Sequence, residues 1–216
     1  MKILLITEYY PPKIFGGGEL SAQALARSLA AKGIDVSVLT ATVPGQKAEE
    51  HDNGVTIYRY LRTGAHPFAL WENLKRMVLF PHSLRKTLQE LDKRENFDVI
   101  HCVNTTSILH FRYPKKTIAT INSYVPFCPK GNLFYKEKTV CTGPAFMKCC
   151  GCIAASQYIG KTKMKAWLRW NPLLWIWLYG AYCRRKARLK HMKRLIIIST
   201  FMRAFVDKRQ ATLIYT

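Results

Sequence analysis

The sequence predicts an α/β fold with a doubly wound, mostly parallel sheet. Short apolar runs, typical of strands that are buried on both faces, alternate along the chain with segments of helical periodicity. Strands and helices that alternate in this way form parallel sheets with helices on both faces. The chain has 216 residues, of which 49% are hydrophobic, so it is long enough to bury the core of one domain.

The predicted elements follow one another in a regular order. The first strand is KILLIT (2–7), and a helix is predicted over 19–32 because apolar residues recur at helical spacing before Gly33. A second helical pattern covers residues 68–93. The remaining strands are predicted at 35–40, 55–60, 97–103, 116–121, 194–200 and 212–215.

Two regions interrupt this alternation, and both are strongly basic. One is a cysteine-rich stretch from 128 to 152, and the other is an aromatic and basic stretch from 161 to 194. The whole chain carries a net charge of +21, and residues 129–194 contain fifteen Lys or Arg side chains against one acid, Glu137. A charge of this size implies a polyanionic partner: nucleic acid, an anionic membrane surface or phosphorylated substrates.

The N-terminus MKILLITEYYPP is not typical of a signal peptide, because its apolar run is only about six residues long. We therefore expect a cytoplasmic protein, peripheral on the inner face of the membrane if it binds one. In that reducing compartment the seven cysteines are expected to be free thiols or metal ligands rather than disulfides.

A glycine-rich loop, residues 8–18, joins the first predicted strand to the first helix. Gly16, Gly17 and Gly18 stand at the helix N-terminus, where free N–H groups and the helix dipole favour an anion. The loop matches neither the G-x-G-x-x-G dinucleotide fingerprint nor the P-loop. Two interpretations remain: the glycines either bind a phosphate or merely turn the chain.

The residues around this loop resemble a known family. The stretch ITEYYPPKIFGGGELSAQALARSLAAKGIDVSVLT (6–40) is similar, in order and spacing, to the opening of the GT-B glycosyltransferases called family 4. The similarity continues in FDVIHCVN (97–104), TINSYVPFCPKGNLFY (120–135) and RLIIIST (194–200), so that it covers nearly the whole chain.

The resemblance implies a single Rossmann-like domain over 1–216, which is the N-terminal half of a GT-B fold with a Cys-rich insertion. This domain would include a Cys-rich loop at 126–153 and a basic, aromatic helical segment at 156–193. In the family the first domain holds most of the acceptor site and the second holds most of the nucleotide-sugar site. We expect the C-terminal domain to be absent from this chain. Either the chain is a fragment or truncated gene product, or a separately encoded polypeptide supplies the C-terminal domain. Transfer in the family retains the anomeric configuration and needs no metal.

The resemblance also assigns candidate site residues. Gly16, Gly17 and Gly18 would lie in the interdomain cleft, near the donor phosphates and the acceptor. The family's His at the end of the fifth strand is Asn122 here, which cannot titrate near neutral pH but can orient a sugar hydroxyl. The catalytic residues are therefore unassigned. His101, at the end of another strand, is either a packing residue or a ligand contact.

The cysteine-rich stretch predicts a metal site. Cys128, Cys141, Cys149 and Cys152 follow a C-x12-C-x7-C-x2-C spacing that suits tetrahedral zinc better than an iron–sulfur cluster. Nearby lysines would favour thiolates, and the ion would staple a loop over the acceptor side. The alternative is that these cysteines are ordinary thiols.

The aromatic stretch predicts either an interfacial helix or a core helix. Basic runs, KTKMKAWLRW and RRKARLKHMKR, flank WNPLLWIWLYGAY, whose uncharged run is about fourteen residues. A membrane-spanning helix needs about 20. Tryptophan beside Lys and Arg suits the surface of an anionic bilayer.

Together these features predict the acceptor-side half of a glycosyltransferase, which is not active alone and is associated with a membrane. It would move a sugar from a nucleotide-sugar to a lipid-linked or polysaccharide acceptor, as in cell-envelope polysaccharide synthesis. One alternative is an inactive remnant or a regulatory binding domain. Another is a basic zinc module that binds nucleic acid, although no helix-turn-helix, RRM or C2H2 pattern is present.

Overall fold

The computed structural model describes residues 1–66, 70–159, 162–207 and 210–213, and its centre is one eight-stranded sheet. The strands of this sheet are β1 (Lys2–Ile6), β2 (Asp35–Ala41), β3 (Glu49–Asp52), β4 (Val55–Leu61), β5 (Val99–Cys102), β6 (Lys116–Ile121), β11 (Arg194–Ile197) and β12 (Ala211–Leu213). Two small hairpins lie outside it: β7 (Phe134–Tyr135) with β8 (Thr139–Val140), and β9 (Tyr158–Ile159) with β10 (Thr162–Lys163). The helices are α1 (Gly17–Ala31), α2 (Leu70–Glu95), α3 (Phe146–Ala155), α4 (Ala166–Arg169) and α5 (Pro172–Leu189).

The strand order is β12-β11-β6-β5-β1-β2-β4-β3, and every neighbouring pair is parallel except β3 with β4. The predicted fold class, a doubly wound and mostly parallel sheet, is confirmed. The order reverses between β1 and β5, because later strands are added on opposite sides of this pair. In such sheets ligands bind beyond the carboxyl ends of the strands at the reversal.

Helices cover both faces of the sheet. On one face, Ala22 and Ala26 of α1 pack on apolar residues of β1, β2 and β4. On the other face, Leu84, Leu88 and Leu91 of α2 pack in the larger core cluster, which Leu189 of α5 also joins. The helix α1 begins at Gly17, two residues before the predicted start, and is followed by Gly33 with φ of +76°, as expected of a helix C-terminus.

The sequence analysis missed β3. Its residues, EEHD, are polar, so no apolar alternation marks it as a strand. It pairs with β4 through the two-residue turn Asn53–Gly54, where both φ angles are positive. Asn-Gly is the preferred sequence of such a hairpin turn, so the signal was present at this position.

The aromatic and basic stretch does not form one continuous helix. Residues 166–169 form the short α4, and Asn171 then caps α5 by accepting a hydrogen bond from the Leu173 N–H at 2.9 Å. Pro172 occupies the first turn of α5, where its missing N–H costs nothing. Within the described ranges, no helix is long and apolar enough to cross a membrane. The last predicted strand is observed as β12, and its residues after 213 lie outside the described part.

Candidate functional site

The candidate site lies where the carboxyl ends of β1, β5 and β6 meet. Side chains from the loops after these strands are bonded to one another. Asn104 Nδ2, after β5, donates to Thr7 Oγ1, after β1, at 2.9 Å, and the hydroxyls of Thr105 and Ser123 lie 2.9 Å apart. Hydrogen bonds between polar side chains therefore link the loops after β1, β5 and β6 at the point where the strand order reverses.

The three glycines stand at the N-terminus of α1, on this edge of the sheet. Gly16 is the N-cap, and it has no side chain to accept from the first N–H groups of the helix. Its own N–H donates to Glu19 Oε2 at 3.0 Å. Because the first N–H groups of a helix have no acceptor within the helix, the end of α1 presents donors and the positive end of the helix dipole.

Neither backbone conformation nor crowding requires glycine at these positions. Gly16 has φ of −174°, which is extended backbone that any residue adopts, and Gly17 and Gly18 are helical. A Cβ atom on Gly17 would meet nothing within 4 Å, and one on Gly18 would lie at van der Waals distance, 3.5 Å, from Asn122 Nδ2. The fold therefore does not require glycine at these positions, and Gly17 and Gly18 place no side chain over the helix N-terminus. Phosphate binding by the glycines stays a prediction.

Asn122 and Gly18, which are 104 positions apart in the sequence, lie side by side in the structure. Asn122 directly follows β6 and is half-buried. The structure thus brings together two of the predicted site residues, a helix N-terminus and an amide that can donate and accept hydrogen bonds.

His101 lies deeper in the molecule. Only 5% of its surface is exposed, and its Nε2 lies 2.8 Å from Thr120 Oγ1 on the neighbouring strand. Burial lowers the pKa of His101 to about 4, so it is neutral at physiological pH. The structure shows His101 bonded to Thr120, whereas a direct contact with a ligand stays a prediction.

The loop between β1 and α1 is held by aromatic contacts. Tyr9 donates its hydroxyl to the Gly64 carbonyl at 2.9 Å, and the Phe15 ring meets the Tyr9 ring edge-on, with centroids 4.8 Å apart. Lys13 Nζ lies 5.1 Å from the centre of the Tyr9 ring. These contacts fix the segment that leads into the glycines, which preorganises the site.

Glu8 is a buried carboxylate that the sequence analysis missed. Its Oε1 accepts from Thr63 Oγ1 at 2.6 Å, and its Oε2 lies 3.5 Å from Arg76 Nη1. An acid that directly follows a buried parallel strand stands at the ligand-binding edge, and this position was the available signal. Both carboxylate oxygens have partners in the protein, so the observed role of Glu8 is to tie the loop after β1 to the segment after β4 and to α2.

The four predicted cysteine ligands surround one small cavity. Cys128, Cys141, Cys149 and Cys152 all line a space of about 20 Å³ between α3 and the β7–β8 hairpin. Lys130, whose surface is only 3% exposed, lines the same cavity, and its ammonium donates to Ser156 Oγ. The Lys136 N–H donates to Cys152 Sγ at 3.1 Å.

The metal site itself stays a prediction. In the described part of the chain, no three Cys, His, Asp or Glu side chains stand together in an arrangement that could hold a metal ion. Burial raises the pKa of the Cys149 thiol to about 12. Burial is the largest influence on this pKa, so the expectation that nearby lysines favour thiolates stays a prediction for these cysteines.

Comparison with known proteins identifies the family. The model of Glycosyltransferase Family 4 matches residues 15–212. An uncharacterized glycosyltransferase of Methanocaldococcus jannaschii is 35% identical over 105 residues, which cover 47% of this chain and 24% of that protein. This chain therefore spans about a quarter of the length of that curated relative.

Solved structures share the fold. Sucrose-phosphate synthase from Thermosynechococcus elongatus matches 98% of this chain and 47% of its own length, with a TM-score of 0.56 and 16% identity. Phytolacca americana UGT2, complexed with UDP-2fluoro-glucose and pterostilbene, matches 99% of this chain and 53% of its own, with a TM-score of 0.55 and 12% identity. The resemblance inferred from the sequence is confirmed, and the chain belongs to glycosyltransferase family 4.

Proposed function

We propose that this chain forms the acceptor side of a cleft in which a sugar moves from a nucleotide-sugar to an acceptor. Membership of the family supports sugar transfer in general. The observation that carries the proposal is the N-terminus of α1, where three successive glycines occupy positions that need no glycine for the fold. The Gly16 N–H is bonded to Glu19, whereas no N-cap side chain accepts from the N–H groups that follow it. The N–H groups of Gly17 and Gly18 and the helix dipole suit the diphosphate of a nucleotide-sugar. One structural neighbour is complexed with UDP-2fluoro-glucose, which supports a donor of this class.

The surrounding side chains suit binding and orientation rather than proton transfer. The amide of Asn122 is positioned to orient a sugar hydroxyl beside Gly18. His101 is neutral and bonded to Thr120, and Glu8 is engaged by Thr63 and Arg76. These described residues thus supply one wall of the cleft.

We further propose that a second domain supplies the other wall, in a separate polypeptide or elsewhere in the same gene product. The chain spans about half of each solved neighbour named above, which supports this division. The test is transfer of radiolabelled sugar from a panel of UDP-, GDP- and ADP-sugars to membrane lipid or polysaccharide extracts. We expect transfer only when the second domain is present. Binding of nucleotide-sugar without transfer under any combination would instead favour the regulatory or remnant domain.

We propose that Cys128, Cys141, Cys149 and Cys152 hold one ion. A cavity of about 20 Å³ admits one water-sized species, which suits a single zinc ion better than an iron–sulfur cluster. Four thiolates around zinc carry a net negative charge. Lys130 is buried against this cavity, and among the described residues no carboxylate lies within ion-pair distance of its ammonium, so its charge would balance such a centre. Binding requires the thiols to lose their protons and turn toward the cavity.

The zinc proposal is tested by elemental analysis of the purified chain. We expect close to one zinc per chain, which Cys149→Ser or Cys152→Ser removes. Cys183→Ser is the matched control, because Cys183 is exposed and lies outside the cavity. A wild-type chain that is free of zinc and iron would overturn the proposal.

A separate experiment bears on the alternative that the chain is a basic zinc module. Tight and salt-resistant binding of DNA or RNA would favour that nucleic-acid-binding module over the sugar-transfer proposal.

A further inference from the structure

An exposed apolar surface extends over α3, α4 and α5, which we call the α3–α5 surface. On α5, Leu173 is 73% exposed, and Ile176 and Trp177 follow it at positions i+3 and i+4, on the same side of the helix. On α4, Trp167 is 69% exposed. The Phe146 ring of α3 contacts Tyr179 of α5, with ring centroids 5.2 Å apart. The exposed surface therefore runs without a gap from α3 to α5. The members of the α3–α5 surface are Phe146, Met147, Trp167, Trp170, Leu173, Ile176 and Trp177.

This surface is additional to the face by which α5 joins the core. The opposite side of α5 is already buried through Leu178, Ala181, Tyr182 and Leu189. The side chains of the α3–α5 surface therefore remain largely exposed in the described chain. Proteins that act alone in water rarely expose so many large apolar side chains together, and such patches usually mark binding surfaces.

The charge around the surface is predominantly positive. An acid, Glu137, accepts from the Gln157 and Tyr158 N–H groups in the segment before α4. No Asp or Glu occurs between Lys138 and Val206. Among the described residues, the cations at the two ends of the patch have no carboxylate within ion-pair distance and point to solvent. They are Lys163 and Lys165 before α4, and Arg184, Lys186 and Lys190 in and after the last turns of α5. Their charge is therefore available to an anionic partner.

We propose that the α3–α5 surface docks on an anionic lipid bilayer and lies in the plane of its interface. The apolar side chains enter the boundary between headgroups and acyl chains, and the flanking cations contact lipid phosphates. Tryptophan suits this depth because its ring is apolar and its N–H is polar. A protein partner of the same size would be expected to need carboxylates to match these cations, whereas an anionic bilayer presents both an apolar layer and negative charge.

The docking surface lies toward the same edge of the molecule as the candidate site. The helix α5 leads directly into β11, which runs parallel to β6, and the chain after α5 is bonded to the start of β6 through Lys193 N–H and the Thr117 carbonyl at 2.8 Å. The C-terminal end of α5 is thus at the amino edge of the sheet, and its apolar N-terminal half lies toward the carboxyl edge. If the proposed sugar transfer is correct, a lipid-linked acceptor would be presented at the same edge of the sheet as the glycines. Docking itself does not depend on that function.

Tryptophan fluorescence offers a direct test. Four of the five tryptophans lie in the segment 167–177, and the fifth is Trp71 on α2. In a Trp71→Phe background, we expect vesicles of phosphatidylcholine and phosphatidylglycerol to shift the emission to the blue and to pull the full chain down in co-sedimentation. Lipids brominated on their acyl chains should quench the emission. Pure phosphatidylcholine should bind at least about tenfold more weakly, because several cations each contribute near an anionic surface.

Two variants separate the apolar from the charged contribution. Leu173→Ser with Trp177→Ser should lower vesicle binding at least about tenfold, at any salt concentration, because both side chains lie at the centre of the patch. Lys163→Gln with Arg184→Gln should lower binding only at low salt, where charges are poorly screened. The matched control for the first variant is Val78→Ser, an equally exposed apolar residue on α2, which should bind like wild type. Circular dichroism and thermal melting verify that each variant is folded.

Three outcomes would overturn the proposal. One is an absence of co-sedimentation with anionic vesicles near physiological salt. Another is binding that Val78→Ser weakens as much as the double Ser variant does. The third is concentration-dependent self-association in sedimentation velocity that the patch variants abolish, with no vesicle binding, since that would assign the surface to a second copy of the chain. Sugar-transfer activity enters none of these readouts, so the docking proposal and the proposed function can fail separately.

Discussion

At the scale of single residues, Gly17 and Gly18 are notable because the helix does not need glycine at either position. Both are helical, and Gly17 has open space where a Cβ atom would be. Helical glycine costs up to about 1 kcal/mol relative to alanine. The fold gains nothing from that cost here, so the glycines are best explained by something that must approach the backbone closely. The sequence placed the glycines at the helix start but did not distinguish this explanation from a simple turn.

His101 gives a prediction for the pH dependence of stability. Its pKa is lowered from 6.5 to about 4 by burial, so the folded chain binds a proton less readily than the unfolded chain does. The contribution of neutral His101 to the free energy of unfolding is fully present above pH 6.5. It falls by roughly 3 kcal/mol as the pH is lowered toward 4. The variant His101→Gln, which keeps a partner for Thr120, should lose less free energy of unfolding between pH 7 and pH 4 in urea titrations. Equal losses in both proteins would contradict the assignment.

The sequence predicts where some polar residues lie but not which residues they bond to. Examples are Glu8, Asn104 and Ser123. Each lies after a predicted strand, so its position at the ligand-binding edge followed from the fold class. Their partners did not follow, because Asn104 bonds to Thr7 and Ser123 to Thr105 across different loops. Such pairs depend on which strands are neighbours, and that order is set by packing of the whole sheet.

Among the elements, the segment after β4 is held closely against α2, and Gly64 makes this possible. A Cβ atom on Gly64 would lie only 2.3 Å from the Glu72 carbonyl oxygen, and the Gly64 carbonyl accepts from Tyr9. Gly64→Ala should therefore displace the segment from α2 and lower the free energy of unfolding by more than about 2 kcal/mol. Chemical denaturation measures this.

The control for Gly64→Ala is Gly151→Ala in α3, where a Cβ atom would meet nothing within 4 Å. That change should leave stability unaltered or raise it by up to about 1 kcal/mol. If both variants were equally stable, the close packing of Gly64 would be disproved.

Elements with strong apolar patterns were predicted well, and elements defined by other forces were not. The parallel strands and α1 and α2 follow from apolar runs and helical spacing, and their ends differ from the predicted ones by a few residues. The edge strand β3 is polar on both faces and forms because Asn53–Gly54 turns the chain back on β4. The break between α4 and α5 depends on the cap at Asn171, which the overall aromatic composition concealed.

At the scale of the whole molecule, three candidate functional regions occupy different places in the fold. The glycines and Asn122 lie at the carboxyl edge of β1 and β6, the cysteines enclose a cavity beside α3, and the exposed aromatic residues cover α4 and α5. The sequence indicated each region from its own composition. It could not show that Gly18 and Asn122 adjoin, or that four cysteines share one cavity, because both facts depend on the tertiary fold.

The most direct test of the account is whether the amides at the start of α1 bind a diphosphate. In amide NMR spectra of the full chain titrated with UDP, we expect the backbone signals of Gly17 and Gly18 and the side-chain amide of Asn122 to shift together. Gly17→Val should reduce the affinity at least about tenfold, the size of one lost contact to a charged group, because its side chain would cover the donors. It should change the free energy of unfolding by no more than about 0.5 kcal/mol, since that side chain enters open space.

The account would be contradicted if UDP shifted signals elsewhere in the chain but left Gly17 and Gly18 unmoved. It would equally be contradicted if Gly17→Val bound UDP as wild type does.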